Sequence, residues 1–458
     1  MAFLEALRAE IGAAQVLTGA EAAGFGREWT GHYHWTPLCV ARPGSTAEVA
    51  AVMRLASAAG VAVVPVGGNT GLNGGTYAEG ALMLSLARLN RVRALNAATR
   101  TVVAEAGVVL ERLHEVAAEA GLVFPLTFGA KGSAMVGGFL STNAGGTNVV
   151  RHGSARALCL GLEVVLADGR VMDLMTELHK DNTGYDLRDL MIGAEGTLGV
   201  ITAAVLKLVP APAGYGTALI GVESLEVALD LLNRVQAGSG GAVEAFEFMP
   251  ARYMDRLARL KPELACPFPP QPVNILIEIA STRADESPSA LLEEILGGAL
   301  EAGLIGDAVI AGSEAQRRKL WLMRESAAEI TFTTPNLVDT DVAFPLDRLE
   351  TFLHRMTARL AVLDPGAEEL VIAHLGDGNI HYTAYPTRDD AGLRDTIRAA
   401  VAEEAVALGG SFSAEHGVGL SKRPTMAAHK NPVALEVMRA IKAALDPRGI
   451  LNPGKTLP

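Results

Sequence analysis

Val66-Gly67-Gly68-Asn69-Thr70-Gly71-Leu72-Asn73-Gly74-Gly75-Thr76 is the stretch on which the fold turns. An apolar run over 61–66 delivers it and reads as a strand. Upstream lie a strand over 38–41, a capping box at Ser45-Thr46-Ala47-Glu48, and a helix that stops at Gly60. This compact βαβ unit predicts parallel strands. Closely spaced glycines expose successive backbone N–H groups, an anion nest suited to a pyrophosphate. The spacing is not G-x-G-x-x-G, G-K-[ST] is absent, and the next element over 81–86 is a strand. Rossmann and P-loop contexts are therefore both excluded. The plain alternative is a flexible loop.

Two more small-residue clusters follow. One runs from Gly129 to Thr147, after a helix over 109–120 and a strand over 122–126, and its small residues let a flat ring lie against backbone. The other, Gly193-Ala194-Glu195-Gly196-Thr197-Leu198-Gly199-Val200-Ile201, enters a strand ending near Leu208. Between them, residues 162–173 form a hairpin with an Asp168-Gly169 turn. Three such clusters at strand edges suggest one long ligand held by backbone. Residues 210–216 read as a linker.

The second half alternates helices (223–236, 250–260, 288–302, 314–330) with strands (243–248, 273–280, 307–310), an α+β pattern. The helix over 314–330 puts Trp321 and Arg324 on one face. An arginine there suits bidentate grip on a carboxylate, against the plainer reading of a stem packed on an aromatic. Further on stands His374-Leu375-Gly376-Asp377-Gly378-Asn379-Ile380-His381. A two-residue turn at Asp377-Gly378 would place His374 directly opposite His381, Cβ atoms about 5 Å apart, a pair able to hold a metal. Glu415-His416-Gly417, in a small, glycine-rich segment, can add a carboxylate and a third imidazole. Two imidazoles and one carboxylate suit zinc best, with manganese or iron as alternatives.

With 458 residues the chain is long enough for two or three domains, and 49% hydrophobic against 20% charged residues is enough for sizeable cores. The net charge of -12 argues against nucleic acid and anionic membrane surfaces. No apolar run approaches the ~18 residues of a spanning helix. The N-terminus lacks a signal-peptide pattern. Cys39, Cys159 and Cys266 form no C-x-x-C and read as reduced core residues of a cytoplasmic protein, with peripheral attachment to the inner membrane as the alternative location.

The runs 66–76, 136–147, 162–173 and 195–201 together resemble the FAD-binding domain of the vanillyl-alcohol-oxidase/p-cresol-methylhydroxylase fold. The nearest branch is the FAD-linked D-2-hydroxyacid dehydrogenases, of D-lactate, D-2-hydroxyglutarate and glycolate type. The resemblance implies an α+β protein: a two-subdomain FAD-binding domain (1–211, core 36–211), a substrate or cap domain with the metal site (212–440), and a C-terminal segment (441–458) returning to the FAD domain. It implies that Val66, Gly67, Gly68, Asn69, Thr70, Gly71 and Leu72 hold the pyrophosphate. Gly137, Gly138, Thr142, Asn143 and Gly146 would lie along the isoalloxazine and ribityl. Glu195, Gly196, Gly199 and Ile201 would close on the adenosine side, and Asn452 lies in the returning motif. Arg324 matches the family's carboxylate-binding arginine.

The expected reaction is oxidation of a D-2-hydroxyacid with hydride transfer to flavin N5. Arg324 anchors the carboxylate, His416 is the general base, and a metal on His374, His381 and Glu415 binds the 2-hydroxyl. Three positions depart from the pattern for D-2-hydroxyglutarate. Asp339 stands where a lysine is typical, Ala328 where a threonine is, and Thr383 where an asparagine is. A short, D-lactate-like substrate is therefore expected, with D-2-hydroxyglutarate dehydrogenase or a glycolate oxidase subunit as alternatives. Arg317, Arg318 and Lys319 are the nearest replacement cations. A non-catalytic electron-transfer subunit is the alternative of another class. The expected acceptor is a quinone, cytochrome or electron-transfer flavoprotein, and a homodimer is compatible with the chain.

Overall fold

A computed structural model describes residues 2–458 and divides them into two compact units. The first takes in the residues up to Gly145, Ser154–Ala211 and Glu415–Pro458; the second takes in Gly146–Gly153 and Pro212–Ala414. The chain re-enters the first unit at Glu415, ahead of the residue 441 suggested by sequence.

In the first unit, a four-stranded sheet has the order Val16–Leu17, Cys39–Ala41, Leu82–Ser85, Val63–Val66. The strands of the βαβ unit are parallel as expected, but the strand after the glycine loop inserts between them and pairs in parallel with both. Ser45 Oγ accepts from the Glu48 N–H, and Gly60 ends the helix with φ 66°. On the other edge of Val63–Val66, Val63 N–H donates to Ile450 and Asn452 N–H donates to Val63, both at 2.8 Å. The closing segment therefore binds the strand that carries the glycine loop.

A second, five-stranded antiparallel sheet contains the hairpin expected over 162–173, as strands Cys159–Val165 and Val171–Leu174 with Gly169 at φ 81° in the turn. All three cysteines are free; Cys39 and Cys159 are buried as expected of core residues, whereas Cys266 is half-buried.

The second unit is built on a seven-stranded antiparallel sheet. Its order is Asp307–Ile310, Gly214–Val222, Val273–Ser281, Val243–Pro250, Glu368–His374, Asn379–Tyr385, Val338–Ala343. Strand residues alternate between faces. One face carries Ala218, Ile275, Ile277, Phe246, Phe248, Val371, Ala373, Ile380 and Tyr382, packed on Leu231, Leu292, Phe352 and Ile397 of four helices. The other carries Leu219, Leu276, Met249, Leu370 and Ile372 beneath Tyr253, Leu257, Leu320 and Met323. Glu247, His374 and His381 alternate onto this second face.

Several expected elements change. The helix over 314–330 is two helices, Glu314–Glu325 and Ala327–Thr331, joined at Ser326, whose hydroxyl bonds back to the Leu322 carbonyl. The expected linker shrinks, because Val209–Pro210 pairs with Leu122–Val123 and the next strand begins at Gly214. The His374–His381 hairpin has a different register. His374 pairs with Asn379 and His381 with Ile372, leaving a loop over 375–378. Only Gly378 has positive φ there, so the turn is not type I′. The His374 carbonyl instead accepts from the N–H groups of both Asp377 and Gly378. The slip is by two residues, which preserves the face, so both imidazoles still point the same way.

Candidate active site

In the second unit a polar row crosses the sheet face beneath the helix Glu314–Glu325. His374 and His381 stand edge to face with ring centroids 5.6 Å apart. Asp341 is the cross-strand partner of His381, and the two offer ligand atoms within 4.8 Å of one another. Asp341 Oδ1 accepts from Asn379 Nδ2 at 2.9 Å and Oδ2 from the Ala414 N–H at 3.1 Å. The residue after Ala414 is Glu415.

Glu247, 1% exposed, accepts from Arg324 Nε at 2.8 Å and faces His374 Nδ1 at 2.9 Å. Burial opposes its charge, but His374 and Arg324 outweigh that and hold the carboxyl below its usual range. Arg324 makes no other hydrogen bond among the described residues, so its two Nη atoms remain for a ligand. Trp321 takes a different partner: with Arg317 and Thr217 it surrounds Glu278, at 2.7, 2.7 and 2.6 Å. Arg318 pairs with Glu314 at 3.0 Å. Thr383 donates to Asp339 Oδ1 at 2.9 Å, two residues along the strands from His381 and Asp341.

In the first unit, Glu415 and His416 sit together, Oε1 to Nε2 at 3.7 Å. Their loop is held by earlier parts of the chain. Asn73 donates to the carbonyls of His416 and Gly417, and Glu195 accepts from the N–H groups of Val418 and Gly419 at 2.9 and 2.8 Å. Burial raises the Glu195 carboxyl above its usual range, against the pull of those two N–H donors. Asn452 donates to the carbonyls of Gly75 and Glu195 at 3.0 and 2.8 Å, and its buried Oδ1 has no partner among the described residues. Glu195 and the Asn452 amide nitrogen thus bond to the protein itself.

The glycines separate into two kinds. A Cβ on Gly68, Gly137, Gly196 or Gly199 would meet Ser133, Ala106, Pro65 or Val164, at 1.9, 2.8, 3.2 and 2.5 Å, so these four close protein packing. A Cβ on Gly71 or Gly138 would meet nothing within 4 Å, which leaves space for a ligand against backbone. Gly67 has only ordinary contacts. Asn69 bonds Arg27 and Thr76, and Asn143 Oδ1 accepts from Ser154 and Arg156. Thr142 caps its helix through the Gly138 carbonyl. Val66 and Ile201 bury their side chains in the core, so only their backbone can face a cofactor. Thr70 and Leu72 are half-buried, and Gly146 opens the segment belonging to the second unit.

Sequence reasoning missed Glu247, Asp341 and Asn73. Asp341 alone had a signal, the alternation Asp339-Thr340-Asp341 that shares one strand face.

Residues 37–175 match the family described as FAD binding domain, and 212–456 match that described as FAD linked oxidases, C-terminal domain. The chain is a member of the FAD-linked D-2-hydroxyacid dehydrogenase family. It is 40% identical over 436 residues to "D-2-hydroxyglutarate dehydrogenase, mitochondrial" of Bos taurus, covering 94% of this chain and 79% of that one. It is 38% identical over 439 residues to D-2-hydroxyglutarate dehydrogenase of Xanthomonas citri pv. viticola, covering 94% and 91%. Among solved structures, p-cresol methylhydroxylase with substrate bound aligns at TM-score 0.77 and 14% identity, over 99% of this chain and 96% of that one. 4-Ethylphenol oxidase from Gulosibacter chungangensis aligns at 0.75 and 19%, over 100% and 96%. The fold is thus the vanillyl-alcohol-oxidase/p-cresol-methylhydroxylase type. The family members are FAD-dependent oxidoreductases acting on CH–OH, and this chain oxidises a D-2-hydroxyacid. Among the described residues no helix is long and apolar enough to cross a membrane.

Proposed function

We propose that oxidation depends on a divalent metal, zinc before manganese or iron, on His374, His381 and Glu415, and that the substrate is a short, monocarboxylic D-2-hydroxyacid such as D-lactate. The observation that carries this reading is the sheet face: two imidazoles and Asp341 beside an arginine with both Nη atoms free. Imidazole with carboxylate is the donor chemistry that such ions take.

Arg324 grips the substrate carboxylate bidentately through those Nη atoms. His416 takes the proton of the 2-hydroxyl on a ring nitrogen as general base. Bound at His374, His381 and Glu415, the metal would acidify that hydroxyl. Bound FAD would supply the acceptor for the hydride at C2, so that the substrate becomes the 2-oxoacid and His416 keeps the hydroxyl proton. Backbone at Gly71 and Gly138, where no side chain intrudes, is suited to the cofactor.

Asp339 supports a monocarboxylic substrate. It lies on the face of His381, where a second carboxylate would meet a like charge. Of the three expected replacement cations, Arg317 and Arg318 are already paired with Glu278 and Glu314, and Lys319 is exposed. D-2-Hydroxyglutarate is the second reading, favoured by the names of the relatives. Anaerobic bleaching of the flavin by a panel of D-2-hydroxyacids tests both: D-lactate should reduce it at the higher kcat/KM, and preference for D-2-hydroxyglutarate would reverse the assignment.

A further inference from the structure

Glu247 has two partners with different tasks in the proposed reaction. Its Oε2 accepts from Nε of Arg324 at 2.8 Å, and His374 Nδ1 lies 2.9 Å from Oε1 and 2.8 Å from Oε2. The strand Val243–Pro250 sits directly beside Glu368–His374, and Glu247 pairs with His374 across it. The carboxylate is therefore fixed by the sheet itself. We propose that Glu247 is a positioning residue that couples metal binding to the grip on the substrate carboxylate. This inference rests on the proposed function above.

A carboxylate only accepts hydrogen bonds. Facing Nδ1, it keeps the ring proton there, so that Nε2 is the nitrogen carrying the lone pair. Orienting partners of this kind typically control ligand affinity. Facing Arg324, it occupies Nε and leaves the two Nη atoms as a fork for a carboxylate. One buried group thus sets both the tautomer of an imidazole and the orientation of a guanidinium.

Glu247→Gln preserves the shape and exposes the coupling. If the amide nitrogen faces His374, Nδ1 must accept, the ring proton moves to Nε2, and the lone pair for a cation is lost. If it faces Arg324, two donors oppose each other. One task fails in either orientation. A carboxylate that merely filled space would tolerate the isosteric change.

The test uses the full-length, FAD-loaded protein as parent, Glu247→Gln and His381→Ala. Zinc affinity is measured by competition with a chromophoric chelator, and KM and kcat are measured with D-lactate and D-2-hydroxyglutarate. Glu247→Gln should retain FAD. Its zinc affinity should fall about 10–100-fold, or its KM should rise about tenfold or more with a smaller change in kcat. Zinc affinity and KM both within about twofold of the parent would overturn the inference. If His381→Ala loses zinc while Glu247→Gln matches the parent, only the Glu247 inference fails. If His381→Ala also keeps zinc, the metal reading fails with it. Should Glu247→Gln not fold, Glu247→Asp carries the same readouts and the same overturning result, because withdrawing the carboxylate by one methylene prevents it from reaching both partners.

Discussion

The side-chain amide of Asn73, at the end of the glycine loop, donates to the main-chain carbonyl of His416 at 3.0 Å. The same amide reaches Gly417 at 2.9 Å, and the Asn73 carbonyl accepts from Leu420 N–H at 2.7 Å. A residue next to the proposed pyrophosphate cradle therefore fixes the loop that carries the proposed base. Asn73→Ala should leave two part-buried carbonyls without these bonds, at a cost of about 1–3 kcal/mol. The expected result is a kcat lowered about tenfold or more with FAD content unchanged. Unchanged kcat would show that the loop holds its place without Asn73.

Gly71 gives the cleaner test of backbone cofactor binding. Gly68→Val would drive its side chain into the Ser133 carbonyl, so loss of colour there has a folding explanation. A side chain at Gly71 meets no protein atom within 4 Å. Gly71→Val should fold, with circular dichroism like the parent, and be colourless. A folded, fully yellow Gly71→Val protein would remove this loop from the cofactor site.

Arg324→Lys should raise KM for a hydroxyacid far more than it lowers kcat. An ammonium offers a point charge in place of a fork, and the bond to Glu247 is made by the guanidinium Nε. The loss of bidentate grip should be about 1.5–3 kcal/mol in kcat/KM. Steady-state kinetics decides it; an unchanged KM would mean that the carboxylate binds elsewhere.

Asp339→Lys should move the kcat/KM ratio toward D-2-hydroxyglutarate, since it replaces a like charge with an opposite one on the face of His381. Measuring both substrates on both proteins shows the shift. A parent that already prefers the diacid would mean that another cation serves the distal carboxylate.

The glycine loop, the 162–173 hairpin and the cap of the first long helix were legible because short-range chemistry specifies them. The His374–His381 register was not. Asp377-Gly378 suggested a two-residue turn, whereas His374 pairs with Asn379. The two imidazoles still share a face because a slip of two residues leaves each side chain on its own side of the sheet. Glu247 was illegible for a different reason: it lies 127 residues before His374 and meets it only when their two strands pair. No local pattern marks such a contact. Asn73 likewise reads as one more loop residue until the segment beyond Glu415 lies against it.

In the proposed reaction, FAD reduction by a D-2-hydroxyacid requires a divalent metal on His374, His381 and Glu415. The most direct measurement is anaerobic flavin bleaching by D-lactate and D-2-hydroxyglutarate, before chelation, after metal removal verified by elemental analysis, and after zinc is restored. Metal-loaded protein should bleach, metal-free protein should not while keeping its FAD, zinc should restore bleaching, and His381→Ala should not recover. Undiminished bleaching of verified metal-free protein would contradict the metal requirement.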